Sequence, residues 1–260
     1  IPRLRKYSNA SLQTHRMDKL TLTLKANKSD VEIHRHSAYQ IVFTTDNFFH
    51  STFEGKKHQN IYGFVIKPQV AHSCECSNSN LIIINIEPYS FLGAYILKKL
   101  GSGKSQTFYD ELKFRFFFNV SNSEFSLANI LSSNQTKEPF IEKDERVEKT
   151  IAFINKNYKS DKFSINELAK QVFLSSSRLS LLFKQQTGSS IIKYLLWTRL
   201  RNAIFLILTN NKKSITTIAL ECGFYDSSQM NKYMYQMFGI APLKLRQKSD
   251  LIQFLEIEAN

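Results

Sequence analysis

The chain is poor in cysteine. It has three in 260 residues, and two of them, Cys74 and Cys76, stand one residue apart. Such a set cannot make a disulfide framework, and it fits a reducing cytoplasm. Long apolar runs are also missing. No stretch approaches the roughly 18 continuous apolar residues of a membrane-spanning helix. The N-terminus lacks a signal-peptide pattern and opens at Ile1-Pro2 without Met, as a trimmed chain would. Acidic residues are in deficit, 22 against 35 Lys and Arg, which leaves a formal charge of +13. No arrangement carries the local signature of a hydrolytic triad, and no cofactor is expected. What is abundant is apolar content, 42%. That is enough for two cores, and the length suits two domains.

The most informative feature is a repeat. Ser164, Ile165 and Ala169 map onto Ser214, Ile215 and Ala219 at an offset of 50, while Leu179 and Gly188 map onto Met230 and Gly239 at an offset of 51. One residue inserted in the middle loop accounts for the change. Internal repetition exposes the architectural unit.

Each copy reads as a short helix, a tight turn and a longer helix. In the first, Ser164 caps and Glu167 follows three residues on, a capping box. Ile165, Leu168, Ala169 and Val172 make an apolar stripe. Hydroxyls of Ser175 to Ser177 open a second helix whose inner stripe is Leu179, Leu182 and Phe183, and Gly188 stops it. In the second copy Ser214 caps, Ile215, Ile218, Ala219 and Cys222 face inward, Gly223 turns, Asp226 and Ser227 open the next helix and Gly239 ends it. Pro242 sits where a further helix can begin. Between the copies, Ile191, Ile192, Leu195, Leu196, Leu200, Ala203, Leu206 and Ile207 repeat at helical spacing. A rigid helix there would hold the two units at a fixed separation, suited to successive major-groove segments about 34 Å apart.

Residues 147–248 resemble the DNA-binding domain of the AraC family of bacterial transcription regulators. The matching residues are Leu168-Ala169, Leu179, Phe183, Gly188, Tyr194, Arg199-Leu200 and Ala203, then Ile215, Ile218-Ala219, Gly223-Phe224, Phe238-Gly239, Pro242 and Arg246. Met230 and Met234 replace residues usually aromatic, and Leu245 replaces a common Tyr. These exchanges keep apolar character. The resemblance implies double-stranded DNA as partner and, for an activator, RNA polymerase. It places the base-reading slots of the first unit on Ser177, Ser180 and Leu181.

Polar positions between the buried stripes define the expected DNA face. In the first unit they are Ser176, Ser177, Arg178, Ser180, Leu181 and Lys184. Serine bonds to more than one base and leucine offers only apolar contact, so this unit is expected to discriminate weakly, with Arg178 and Lys184 on phosphate. In the second unit Ser227, Ser228, Gln229, Asn231 and Lys232 face outward. Gln and Asn pair bidentately with adenine, and Lys reaches guanine or phosphate. Gln229, Asn231 and Lys232 are therefore the expected main reading group. Between Phe163 and Lys248, twelve Lys or Arg stand against three Asp or Glu, the footprint of a phosphate-binding surface. No basic helix with a clean apolar face points to a membrane.

Residues 20–88 alternate like strands, at Leu20–Ala26, Gln40–Thr45, Phe48–Phe53, Tyr62–Ile66, His72–Cys76 and Leu81–Ile86, with Asp46-Asn47 as a turn. Many short strands suggest a barrel or sandwich. His34-Arg35-His36 with Lys67-Pro68-Gln69-Val70-Ala71-His72 resembles the cupin-like sensor domain of many AraC-family members, with Gln69 in place of a common Gly. The fold class is then α+β in two domains: a cupin-like β-barrel with short helices over 1–135, and an all-α double helix-turn-helix domain over 141–250. Helices are expected at Phe91–Leu100, Glu124–Leu131 and Arg146–Tyr158, with Ser132–Pro139 as linker and an aromatic run at Phe114–Phe118. The resemblance implies a small-molecule effector, with His34, His36 and His72 as candidate contacts, and pairing into a homodimer through helices after the barrel.

Two other chemistries are weighed. His34 and His36 share one strand face, as do His72, Cys74 and Cys76. Imidazole and thiolate together make a transition-metal set, but the spacing matches no zinc signature, so no metal is expected. A metal-dependent cupin enzyme would want a carboxylate where Gln40 stands. Gly101-Ser102-Gly103-Lys104-Ser105 is like the tail of a phosphate-binding loop, but Lys98 occupies the place of its first glycine, and the stretch reads as a loop. The remaining alternative is a regulator controlled by a protein partner instead of a ligand.

Overall fold

The computed structural model describes residues 21–27, 30–120, 144–247 and 252–254. The N-terminal half is two antiparallel sheets. The larger contains β1 (Thr21–Asn27), β3 (Tyr39–Thr44), β6 (Gly63–Ile66), β8 (Asn80–Ile86), β9 (Ser105–Phe108) and β10 (Ile252–Phe254), in the order β10-β1-β8-β3-β6-β9. The smaller is β2 (Val31–His34), β7 (His72–Glu75), β4 (Phe49–Phe53) and β5 (Lys56–Ile61) in the order β2-β7-β4-β5. Among the described residues the two sheets are stacked and are not hydrogen-bonded into a closed barrel. The expected strands are present, and Asp46 and Asn47 form the turn after β3. The sequence reading missed β2, β5, β9 and β10, which are short or polar.

Period-two alternation sorts the large sheet. Tyr39, Ile41 and Phe43 of β3 face one core with Ile84 and Ile86 of β8, under helices α1 (Phe91–Leu100) and α2 (Glu111–Phe117). Val42 and Leu81 face the other way, into a core shared with the small sheet and with the C-terminal helices. Gln40 and Asn85, registered opposite each other on β3 and β8, belong to that second face and pair at 3.1 Å. The aromatic run becomes part of α2, with Phe114 and Phe118 fully buried. The glycine-rich stretch leads out of α1 and into β9. A phosphate-binding loop runs from strand to helix, so its order here is reversed.

The C-terminal half is helical: α3 (Glu145–Asn157), α4 (Ile165–Gln171), α5 (Ser176–Thr187), α6 (Ile191–Thr209), α7 (Ile215–Glu221), α8 (Ser227–Phe238) and α9 (Pro242–Gln247). Helix α6, with 19 residues and hence about 28 Å long, serves two cores. Its first turns, Ile191, Tyr194 and Leu195, pack with α3, α4 and α5. Its later residues, Trp197, Leu200, Ala203, Ile204 and Ile207, pack with α7, α8 and the sheets. No described helix is long and apolar enough to cross a membrane. The expected helix Glu124–Leu131 and linker Ser132–Pro139 lie outside the described residues.

After α9 the chain returns to the N-terminal half. Strand β10 pairs antiparallel with β1, Leu24 opposite Phe254 and Ala26 opposite Ile252. The C-terminal residues therefore edge the sheet of the other half.

Candidate nucleic-acid interface and the seam behind it

The two helix-turn-helix units are closed by the same hydrogen bonds. After α4, the Leu174 amide donates to the Ala169 carbonyl at 2.9 Å and that of Phe173 to Lys170 at 3.2 Å. After α7, Phe224 donates to Ala219 at 3.0 Å and Gly223 to Leu220 at 3.0 Å. This is a Schellman stop, which needs a left-handed residue just past the helix. Phe173 (φ 56°) and Gly223 (φ 84°) fill that position. The inserted residue is Tyr225, which lengthens the second turn before the N-cap Asp226. Ala169 and Ala219 are buried at the helix crossings, where a larger side chain would force the helices apart.

Helices α5 and α8 are the recognition helices by position. Ser175 and Asp226 cap them, accepting from the amides of Arg178 and Gln229. Gly188 and Gly239 end both in the left-handed conformation. Leu179, Phe183, Met230 and Met234 are buried, as the stripe reading expects. Ser177, Arg178, Leu181 and Lys184 of the first unit are exposed, as are Ser228, Asn231 and Lys232 of the second. Ser176, Ser180, Ser227 and Gln229 are half-buried. The Ser176 hydroxyl is engaged with Asn166 of α4.

Gln229 has a second occupation. Its Oε1 accepts from the Tyr225 amide at 3.0 Å while its own amide donates to Asp226 at 2.6 Å. Gln229 thus reaches back one residue past the N-cap Asp226 to the inserted Tyr225, a variant of the capping box. The sequence carried this signal, Asp226 followed three residues on by Gln229. The exposed aromatics beside the recognition helices, Phe173 and Tyr225, were not singled out from sequence.

Several cations of the basic half are committed to the fold. Arg199 donates to the carbonyls of Tyr158 and Ser160, both at 2.7 Å, and so caps the end of α3. Lys213 pairs with Glu221, Lys193 bonds Gln69, and Arg201 is buried on Glu87. Lys170, Arg178, Lys184, Lys212, Lys232 and Lys244 remain exposed.

The C-terminal ends of both recognition helices abut the N-terminal half. A β-carbon on Gly188 would touch Pro68 at 3.6 Å, and one on Gly239 would collide with the Glu32 carbonyl at 2.5 Å. Tyr235 bonds Glu32, and the Arg35 amide donates to Gln236 at 3.2 Å. The Ser37 and Ser189 hydroxyls meet at 2.8 Å. Gln69 is held at φ 67°, which accounts for a glycine preference there. Its side chain repays that strain with bonds to His36 O, Ser37 and Lys193.

The three histidines are brought together. A ring nitrogen of each lies within 4.8 Å of the others, and all three are buried. Burial pulls the His34 pKa down to about 4 and that of His36 to about 3, and lowers His72 strongly as well. Cys74 and Cys76 do not join the cluster. They lie in the apolar core, and burial pushes the Cys74 thiol up, which opposes thiolate formation. Beside His34 is a cavity of about 50 Å³, lined by Leu24, Val42 and Ile83 of the sheet and by Ile204, Phe238 and Leu245 of the helices.

Two repeated helix-turn-helix units on a shared rod, behind a two-sheet domain, define a double helix-turn-helix protein. A family model described as a helix-turn-helix domain matches residues 168–248. The XylDLEGF operon transcriptional activator 2 of Pseudomonas putida is 30% identical over 118 residues, 45% of this chain and 74% of that protein. The Msm operon regulatory protein of Streptococcus mutans is 31% identical over 125 residues, 48% of this chain and 42% of its own. The arabinose operon regulatory protein of Escherichia coli is 31% identical over 103 residues, 40% of this chain and 35% of its own. The chain belongs to the AraC family of transcription regulators. Its match spans less than half the length of the Streptococcus and Escherichia relatives. The ToxT structure from Vibrio cholerae shares the fold over 87% of this chain and 96% of its own, with a TM-score of 0.57 and 14% identity.

Proposed function

We propose that the protein is a sequence-specific DNA-binding transcription regulator working in the cytoplasm, without enzymatic activity. Its N-terminal half receives a small-molecule signal and passes it to α8. The observation that carries the reading is the pair of equally closed helix-turn-helix units whose first recognition turns carry exposed polar and basic side chains. Such turns reach base edges when the helix enters a major groove. Ser177, Arg178, Leu181 and Lys184 would meet one segment, and Ser228, Asn231 and Lys232 with Gln229 the next.

The seam supports the signal. An effector shifts activity only through different affinity for two states, and the cavity lies against Phe238 of α8, where occupancy can act on that helix. Drug-sized ligands fill roughly 300–1,000 Å³, so an ordinary effector would have to widen this cavity of about 50 Å³. A relative of the same fold, ToxT, has been solved with an unsaturated fatty acid bound. A homodimer, and RNA polymerase for an activator, complete the proposed partners. Selection of bound duplexes from random DNA by the purified chain tests the reading. A recovered consensus that outcompetes bulk DNA at moderate salt supports it, and indiscriminate recovery rejects it.

A further inference from the structure

Each histidine of the cluster uses its ring in the same way. His34 Nδ1 lies 2.7 Å from the Glu32 carbonyl, His36 Nδ1 3.1 Å from Ala38 and His72 Nδ1 2.9 Å from Val70. A carbonyl can only accept, so each Nδ1 carries the proton and each Nε2 is left with a bare lone pair. Nε2 of His36 and of His72 is buried without a hydrogen-bond partner. A core histidine kept for packing has both nitrogens matched; here buried acceptors converge instead, with ring centroids 4.1 to 5.8 Å apart.

We propose that His34, His36 and His72 bind one divalent transition-metal ion of the zinc class through their Nε2 atoms, at the seam between the sheets and the DNA-binding helices. A metal-ligating imidazole characteristically gives its other N–H to a carbonyl, which fixes tautomer and orientation. All three rings have that support. Imidazole ligands select zinc, cobalt or nickel over magnesium or calcium. Tetrahedral zinc, with Zn–N of about 2.0–2.1 Å, sets ligand nitrogens about 3.3 Å apart, so modest ring rotations must draw the nitrogens inward. Gln40 lies beside His36. Its Nε2 is taken by Asn85, and its remaining side-chain contact is with His36, so its carbonyl oxygen would serve as a fourth donor only by giving up that contact.

The seam also supplies a reporter. Trp197 of α6, the single tryptophan of the chain, has its ring centroid 5.6 Å from that of His36, and Phe238 of α8 is 6.4 Å away. Drawing His36 onto a metal acts directly on side chains that seat both helices. The metal site does not depend on the regulatory reading.

The untagged full chain, stripped with chelator, is titrated with Co²⁺, following visible absorption, bound metal by equilibrium dialysis and Trp197 fluorescence. One Co²⁺ per chain is expected, with a tetrahedral-type spectrum, fluorescence quenching that saturates at one equivalent, displacement by Zn²⁺ and none by Mg²⁺. His72→Gln and His34→Gln should each weaken binding by at least about 100-fold, more than the 10–100-fold typical of losing a supporting residue. No uptake, uptake that leaves Trp197 unquenched, or undiminished binding in folded variants overturns the site. If His72→Gln does not fold, the less buried His34→Gln and the wild-type stoichiometry and quenching decide it.

Discussion

Glu87 and Arg201 form a buried ion pair across the seam, Nη1 to Oε1 at 2.5 Å, with both side chains 4% exposed. Glu87 follows β8, and Arg201 lies at the middle of α6. The same Oε1 accepts from Trp197 Nε1 at 2.8 Å. One carboxylate thus holds the helix shared by both DNA-binding units.

Removing one partner of such a pair leaves an uncompensated buried charge. Glu87→Ala should therefore cost about 3–5 kcal/mol of stability, read by urea unfolding. Glu87→Gln, which keeps the acceptor for Trp197, should cost less. Equal stability of Glu87→Ala and wild type would show that the seam opens readily and that the pair holds nothing together.

For DNA binding, the second unit should dominate. Lys232→Ala should weaken specific binding by about 1–3 kcal/mol if it reads a base, and more than Ser180→Ala does. Gln229→Ala is ambiguous because it also breaks the cap around Tyr225. Gln229→Glu separates the two roles, since it keeps an acceptor for the Tyr225 amide and removes the adenine-reading NH₂. Its melting temperature should stay at or above wild type while specific affinity falls in a gel-shift titration. Equal losses for Ser180→Ala and Lys232→Ala would refute the ranking.

The two equivalent turn positions should respond with opposite sign. A β-carbon at Gly223 would meet the Tyr158 carbonyl at 2.7 Å and Lys159 Cα at 2.9 Å, on a backbone at φ 84°. Gly223→Ala should destabilise by about 1–3 kcal/mol. Phe173 is 95% exposed at φ 56°, so Phe173→Gly should be neutral or stabilising by up to about 1 kcal/mol. Chemical denaturation of both variants checks the pair. A large loss for Phe173→Gly would mean that its ring makes contacts the free protein does not explain.

Salt dependence should be gentler than the net charge suggests. With Arg199, Arg201, Lys193 and Lys213 engaged with other residues of the protein, the other six exposed cations described over 163–247 set a slope of log K against log salt no steeper than about −5. Lys184→Ala should flatten it by about 1. A slope near −10 in fluorescence anisotropy titrations would place most of the twelve cations on phosphate.

Local rules made much of this molecule legible. Helix caps at Ser164, Ser214 and Asp226, glycine stops at Gly188 and Gly239, and alternation in β3 and β8 are written within a few residues of where they act. The polar β5 and the four-residue β2 carry too little pattern to be read that way. The pairing of β10 with β1 joins residues more than two hundred positions apart, which no local window contains. At the candidate site, sequence separated the exposed positions of α5 and α8 from their buried stripes. The spacing of Asp226 and Gln229 carries the cap signal, but no local pattern shows that Arg199 and Arg201 face inward.

By itself, the sequence determined the repeated unit, its caps and its buried stripes, because helix periodicity and capping act over three or four residues. Only the tertiary structure decided which charges remain available, that Gln69 bridges the two halves, and that His34, His36 and His72 meet while Cys74 and Cys76 do not. Those outcomes depend on which faces of distant strands and helices come to share one dry space, and burial there fixes each side chain's partners.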